Sequence, residues 1–399
     1  MTSGRLAIEG FTLKMVDSVP FFRPSVGESE VEAVAQTLRS GWLTTGPISK
    51  SFEEEFCKVL NGEEGDGELH AVAVNSATAA LHLGLEALGI GPGDEVIVPT
   101  LTFTATAEVV RYLGATPRFV DIDADTQCIS VSAVETAITP ATKAVMPVHF
   151  GGRPCDMTRL RALADHHGFA ILDDAAHALP ATHQGTMIGG GLSDVTAFSF
   201  YANKTMTTGE GGMLVTRNPE IAKRARIMRL HGIDRDVFNR FVDQKASYYY
   251  DVVAPGYKYN LTDVAAAIGR VQLQKLQAFH ARRCAIKTQY SDRLAKLPLI
   301  LPPEAAVGDV HSWHLYFIQL AEGAKVSRDE LAKILQSRNI GISVHYRPLH
   351  QMSYWAQTTQ GDFPAADAYF ERCLTIPLFM DMRDNEVDYV VDTLTEVLG

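Results

Sequence analysis

The stretch FSFYANKTMTTGEGGML, Phe198 to Leu214, begins as an alternating apolar strand, stops at a lysine, Lys204, and passes into a loop of threonine and glycine. An ordinary surface lysine needs no such setting. An open α/β sheet supplies one, because its strands end in loops that bind ligands. The neighbouring sequence supports this reading, since a short apolar run, a loop and a helix-like segment recur from about residue 70 to 230. The expected strands are His70 to Val74, Glu95 to Val98, TPRFVDID ending at Asp121, TKAVMPVH ending near His149, GFAILDDAAH ending at Asp173 and Asp174, Val195 to Phe200 and Gly211 to Thr216. Strands alternating with helices predict an α/β fold around a mostly parallel sheet covered on both faces.

Beyond about residue 262 the pattern changes. LTDVAAAIGRVQLQKLQAFHARRCAIKTQYSDRLAKL has long helical periodicity, with Val264, Ile268, Val271, Leu273 and Leu276 as its apolar stripe. HLYFIQL then reads as a strand, SRDELAKILQSRN as a Ser-capped helix and GISVHY as another strand, which together predict a small α+β unit. The expected division is an N-terminal arm at 1–29, a large α/β domain at 30–262, and a linking helix with a small C-terminal domain at 263–399.

Composition narrows the function. A chain of 399 residues is long enough for two cores. Its 36 Lys and Arg against 47 Asp and Glu give a net charge of −11 with no basic run, which disfavours nucleic acid as a partner. No stretch approaches the ~18–20 apolar residues of a membrane span, and the N-terminus lacks an apolar signal core, so a cytoplasmic location is expected. The five cysteines, Cys57, Cys128, Cys155, Cys284 and Cys373, are scattered and never form a CxxC pair, which fits reduced thiols and no metal site.

The strand-end rule gathers the chemical candidates on one rim. Desolvation would lower the pKa of Lys204, as a Schiff-base lysine requires. Asp173 and Asp174 are consecutive on a strand and point to opposite sides, so one can face a ligand while the other supports the wall. A carboxylate there can partner a pyridinium nitrogen or simply cap the segment that follows. His177, three residues on, would sit one helical turn away and could stack over a planar ring or pack. In NSATAALHLG, Asn75, Ser76, Ala77 and Thr78 mark a strand turning into a helix, where free N–H groups favour a phosphate; plain capping by Ser76 or Thr78 satisfies the same residues. Ser199 adds a hydroxyl five residues before Lys204.

NSATAALHLGLEALGIGPGDEVIVPTLTFTAT, DDAAHA, FSFYANKTMTTGEGGML and GYKYNLTD, in this order and spacing, closely resemble the nucleotide-sugar aminotransferases of DegT/DnrJ type. These are pyridoxal-phosphate enzymes of aspartate aminotransferase fold type I, and the resemblance runs from about Phe22 to the C-terminus. It implies a seven-stranded large domain and a smaller α+β domain. It further implies that Lys204 binds pyridoxal 5'-phosphate covalently, that Asp174 meets the pyridine nitrogen, that His177 stacks on the ring, and that Ala77, Thr78 and Ser199 hold the phosphate. GYKYNLTD would reach the partner subunit's site in a homodimer. Many relatives have Asn where this chain has Lys258, which could reach the neighbour's cofactor phosphate by charge.

SGWLTTGP, APGYKYNLTDVAAAIG and HSWHLYFIQL look most like the branch aminating C4 of a nucleotide-linked 4-ketosugar, nearest to the enzyme making UDP-4-amino-4-deoxy-L-arabinose. A dTDP-4-keto-6-deoxyhexose is close behind, and amination at C3 is the further alternative. The resemblance implies L-glutamate as donor and 2-oxoglutarate as product. A sugar 3-dehydratase of this fold carries histidine in place of the lysine, and a noncatalytic relative would not need Lys204, Asp174 and His177 together. An acidic protein binding an anionic sugar nucleotide needs local cations, for which Lys258, Arg229, His231 and His345 are candidates by position. Phe103 and Trp42 are candidate surfaces for sugar or base.

Overall fold

The computed structural model describes residues 17–62, 68–234, 250–359 and 361–399; of the expected arm at 1–29, residues 1–16 lie outside the described residues. The elements begin with helices α1 (Glu28–Ser40) and α2 (Pro47–Asn61), then β1 (His70–Val74), α3 (Ala77–Ala87), β2 (Glu95–Pro99), α4 (Ala105–Tyr112), β3 (Thr116–Val120), α5 (Val131–Ala137), β4 (Thr142–Val145), α6 (Met157–His167) and β5 (Ala170–Asp174). A two-residue hairpin, β6 (Thr182–His183) and β7 (Thr186–Met187), precedes β8 (Val195–Ser199), β9 (Gly212–Thr216) and α7 (Pro219–Met228). There follow α8 (Asp263–Leu294), β10 (Leu299–Ile300), β11 (Tyr316–Leu320), α9 (Arg328–Ser337), α10 (Pro364–Arg372), β12 (Cys373–Ile376) and α11 (Asp384–Leu398).

The main sheet has seven strands in the order β1-β9-β8-β5-β4-β2-β3. Six strands, β1, β8, β5, β4, β2 and β3, run in the same direction, and β9 enters between β8 and β1 antiparallel to both. In β2 and β5 every residue after the first is buried, as expected of strands covered on both faces. One boundary differs from the sequence reading. β4 stops at Val145 and does not continue to His149. Pro147 has no N–H to extend the ladder, and its carbonyl only accepts the N–H of Asp174, at 2.9 Å.

Two hydrophobic cores form, and α8 runs through both. Its 32 residues span about 48 Å, with Ala266, Leu273 and Leu276 in the core under the large sheet and Ile286, Tyr290 and Leu294 in the second. The buried face is rotated from the expected stripe: Asp263 and Gln272 point inward, while Val264, Ile268 and Val271 are only half-buried. Polar partners cause the rotation. Asp263 accepts N–H groups at the start of α2, and Gln272 Nε2 donates to Ser25 O and Glu30 Oε1 at 2.7 and 2.8 Å.

The second core is covered by an antiparallel sheet in the order β10-β11-β12. The Ser-capped helix forms as α9, where Ser327 and Glu330 close a reciprocal capping box. GISVHY does not become a strand. Ser343 alone pairs with Thr375, after which His345 and Tyr346 turn their side chains to Thr375 and His177.

Candidate active site

The carboxyl ends of β1, β5 and β8 meet, and a glycine lets them do so closely. Gly212, the first residue of β9, pairs with Val74 at the end of β1 and with Ser199 at the end of β8. A Cβ there would stand 2.5 Å from Ser76 C and O and 2.7 Å from Ala77 N. Only glycine tolerates that approach. Ser199 and the N-terminus of α3 are thereby held at one corner, with Ala77 and Thr78 as the first two helical residues. Ser76 is the N-cap, its Oγ accepting from Ala79 N at 3.1 Å. The capping role considered from sequence is therefore filled by Ser76, while the first N–H groups of the helix still face outward from its end.

Asp173 and Asp174 diverge as strand geometry requires. Asp174 Oδ2 accepts from Thr106 Oγ1 at 2.8 Å and its Oδ1 from Ala176 N at 3.2 Å. Burial pushes its pKa up, opposed by those two hydrogen bonds and by the charge of Lys204. Asp173 faces the other way, hydrogen-bonded by Ser193 Oγ and 3.5 Å from His149 Nε2. No helix follows Asp174: residues 176–180 form turns, so His177 is placed by a turn and not by a helical repeat.

Lys204 lies in the turn after β8, its N–H bonded to Tyr201 O at 3.0 Å. Burial lowers its pKa to about 8, with Asp174 opposing the shift. An appreciable fraction is then the free amine near neutral pH. His177 is 6% exposed, and its Nε2 lies 3.2 Å from Tyr346 Oη. Its ring centroid is 4.5 Å from that of His314. Burial, then the charge of Lys204, holds His177 well below the ordinary histidine range, so the ring is neutral.

The remaining candidates fare differently. Phe103 is 58% exposed and its ring lies 6.1 Å from that of Tyr346, on the same rim. His345 is buried, hydrogen-bonded to Thr375 Oγ1 and held at a pKa of about 4 by its burial, so it is a neutral wall residue and not the expected cation. Arg229 is likewise not an available cation, because Glu53 pairs with it at 2.5 Å and already balances its charge. His231 is exposed with φ +59°. Its neighbour Leu230 bridges Lys258, whose carbonyl accepts from Asn75 Nδ2 at 3.4 Å. The Lys258 side chain is exposed and bonds Asn260 Oδ1 at 2.5 Å. Trp42 Nε1 donates to Thr45 O beside α2.

Sequence reasoning missed Thr106, Tyr346, His314 and Gly212. Thr106 lies in α4, and Tyr346 and His314 arrive from the second half of the chain; no local spacing ties them to Asp174 or His177. A cavity of about 940 Å³ lies elsewhere, lined by Lys50, Glu54, Cys57, Lys58 and Arg226 among others. Arg229, Glu53 and Thr45 also line it, whereas Lys204, Asp174, His177, Ser199, Ala77 and Thr78 do not. Among the described residues no helix is long and apolar enough to cross a membrane, and no group of three His, Cys, Asp or Glu is placed to hold a metal ion.

Residues 24–395 match the model of the DegT/DnrJ/EryC1/StrS aminotransferase family. The chain is 44% identical over 385 residues to the spore coat polysaccharide biosynthesis protein SpsC of Bacillus subtilis, covering 95% of this chain and 97% of the relative. Among solved structures, it is similar to the PMP form of Spr1654 from Streptococcus pneumoniae, assigned as a sugar aminotransferase, at 36% identity and TM-score 0.87, covering 95% and 98% of the two chains. DesV of S. venezuelae, in complex with a ketimine intermediate, matches at 36% identity and TM-score 0.85 with the same coverage.

Proposed function

The chain belongs to the DegT/DnrJ/EryC1/StrS aminotransferase family, and on that premise we propose that it transfers the amino group of L-glutamate to the C4 keto carbon of a dTDP- or UDP-linked sugar, giving a 4-amino-4-deoxy sugar nucleotide and 2-oxoglutarate. That it is a pyridoxal-phosphate-dependent sugar aminotransferase follows from the family; the nucleotide, the carbon and the residue roles are the proposal.

The side chains present fit pyridoxal 5'-phosphate. The corner that Gly212 keeps clear joins a helix N-terminus to the Ser199 hydroxyl, a setting suited to a phosphate. Buried Asp174, its pKa raised by its surroundings, is stabilised as a carboxylate by a cationic partner such as a protonated ring nitrogen. In this reading Ala77, Thr78 and Ser199 bind the phosphate, Asp174 holds the ring-nitrogen proton, His177 lies on the ring and Lys204 is the covalent attachment point. Bound there, the cofactor supplies the electron sink that acidifies the donor's α-proton. Lys204 Nζ takes that proton from the α-carbon, a role suited to an amine held near pKa 8. Phe103 and Tyr346 border the rim on the side open to substrate, and exposed Lys258 and His231 supply positive charge and hydrogen bonding to an anionic ligand. The proposal includes a homodimer in which Lys258 reaches the neighbour's cofactor phosphate. Residues 30–262 would form the cofactor-binding domain and 263–399 the linking helix and small domain.

The observation that carries this reading is that the charge of Lys204 acts on both Asp174 and His177, at the ends of the paired strands β5 and β8, with β9 beside β8 abutting the α3 N-terminus. The test starts with the visible band of the protein mixed with pyridoxal phosphate, which glutamate should bleach. A panel of 4-keto and 3-keto sugar nucleotides follows, with the position of the new amine read by NMR. Amination at C4 is expected; a product aminated only at C3 would replace the C4 assignment.

A further inference from the structure

His314 has no place in the reading above, yet the protein commits several unfavourable features to its position. The residue before it, Trp313, has φ +52°, a left-handed conformation rare for a bulky side chain. Arg283 is 3% exposed, forms no ion pair among the described residues, and donates Nη1 to the carbonyls of Trp313, His314 and Leu378 at 3.1, 3.2 and 3.0 Å. A cation buried on backbone carbonyls is costly, and here it fixes the chain on either side of one imidazole. Ser312 Oγ donates to His177 O at 2.5 Å. Gly152, at φ +103°, makes room for that contact, since a Cβ there would lie 1.9 Å from Ser312 Oγ.

These features bring His314 onto His177 across a sequence separation of more than a hundred residues. The rings stand 4.5 Å apart with 35° between their planes. His314 is 4% exposed, and Nδ1 of each ring is buried without a hydrogen-bond partner among the described residues. Burial, then the charge of Lys204, disfavours protonation of both imidazoles, and at His314 the nearby His177 adds to the effect. A neutral imidazole face, unlike a protonated one, attracts a cationic aromatic ring.

We propose that His314 is a positioning residue for the cofactor, acting through His177: its ring contact, together with the Tyr346 hydroxyl on Nε2, fixes the tilt of the His177 imidazole. This rests on the reading that His177 lies on the pyridoxal phosphate ring. An aromatic pair contributes about 0.5–1.5 kcal/mol, which converts to a roughly two- to tenfold change in affinity.

The test titrates the cofactor-free protein with pyridoxal phosphate and records both affinity and the circular dichroism of the visible band, which reports ring orientation. His314→Ala should weaken binding about two- to tenfold and diminish the dichroic band, while His314→Phe, which keeps an aromatic face, should restore both. In a His177→Ala background the His314→Ala change should add nothing. A His314→Ala protein with parental affinity and dichroism overturns the proposal, as does an undiminished loss in the His177→Ala background or a failure of His314→Phe to rescue. Should His314→Ala not fold, His314→Leu fills the space without an aromatic face and serves the same comparison. A His177→Ala protein with parental affinity overturns the proposal together with the placement of His177. A parent protein that takes up no pyridoxal phosphate would instead overturn the cofactor reading itself.

Discussion

Thr106 Oγ1 donates to Asp174 Oδ2 at 2.8 Å, and this neutral hydroxyl is the strongest brake on the rise in the Asp174 pKa that burial causes. Thr106→Val keeps the shape and removes the donor, so the carboxylate should protonate at higher pH. Activity that requires ionised Asp174 should then lose its acidic limb earlier, with the limb of the kcat/KM profile displaced upward. A hydrogen bond to a charged group is worth about 1.5–3 kcal/mol, enough for the upward displacement to be read from the profile. An unmoved acidic limb would detach Thr106 from the working state of Asp174. Asp174→Asn should go further, cutting transamination strongly while the far-ultraviolet circular dichroism stays that of the parent.

Lys204 carries a stability penalty whose sign is testable. Its pKa falls from 10.5 to about 8 on burial, so between those values the unfolded chain binds more protons than the folded one. Stability from this group therefore rises with pH through that window, and the penalty is full below about pH 8. Lys204→Met should abolish turnover and yet make the cofactor-free protein more stable at pH 7, by up to about 3 kcal/mol. The gain should shrink by pH 10. Urea unfolding of both proteins at the two pH values measures it, and a gain equal at both would contradict the lowered pKa.

Gly212 predicts a selective loss. Gly212→Ala places a methyl 2.5 Å from the Ser76 carbonyl group, so either α3 or β9 must shift. Overpacking of this kind costs about 1–3 kcal/mol, and here the displaced atoms are those proposed to receive the phosphate. Affinity for pyridoxal phosphate should fall at least tenfold, as followed by absorbance titration. Pyridoxal, which lacks the phosphate, should bind the variant and the parent with similar affinity. Equal losses for both would indicate general damage to the rim.

The rim was legible because parallel strands leave a periodic signature and end where ligands bind. His70 to Val74, Ala170 to Asp174 and Val195 to Ser199 each announce both a strand and the residue that follows it. Asp173 and Asp174 could be separated by strand alternation alone, and their partners confirm the opposite directions. What sequence could not supply were contacts made across the fold. His314, just before β11, and Tyr346 both come from the second half of the chain to meet His177, and GISVHY, with its strand-like composition, gives up a ladder to deliver Tyr346. Charge state was equally hidden: His345 and Arg229 looked like available cations, but burial neutralises one and Glu53 occupies the other.

The inward turn of Asp263 yields a last prediction, about how α8 is tied to α2 at the large core. α2 begins at Pro47, and its N-cap, Gly46, has no side chain to cap with. A Cβ at Gly46 would lie 2.0 Å from Trp42 Nε1, so no ordinary capping residue fits there. Asp263, the first residue of α8, supplies the missing acceptor, its carboxylate receiving Gly46 N at 2.8 Å, Ile48 N at 3.1 Å and Ser49 N at 2.9 Å. It also puts negative charge at the positive end of the α2 dipole. Phe52 and Phe56 on that helix are fully buried in the large core, so loosening its first turn should be felt there. Asp263→Ala should destabilise the protein by about 2–4 kcal/mol, combining a lost cap with unsatisfied buried donors. Asp263→Asn, which keeps one accepting oxygen but loses the charge, should fall between the two. Urea midpoints for the three proteins give the order, and an Asp263→Ala midpoint equal to that of the parent would mean that water caps α2 as well as the carboxylate does.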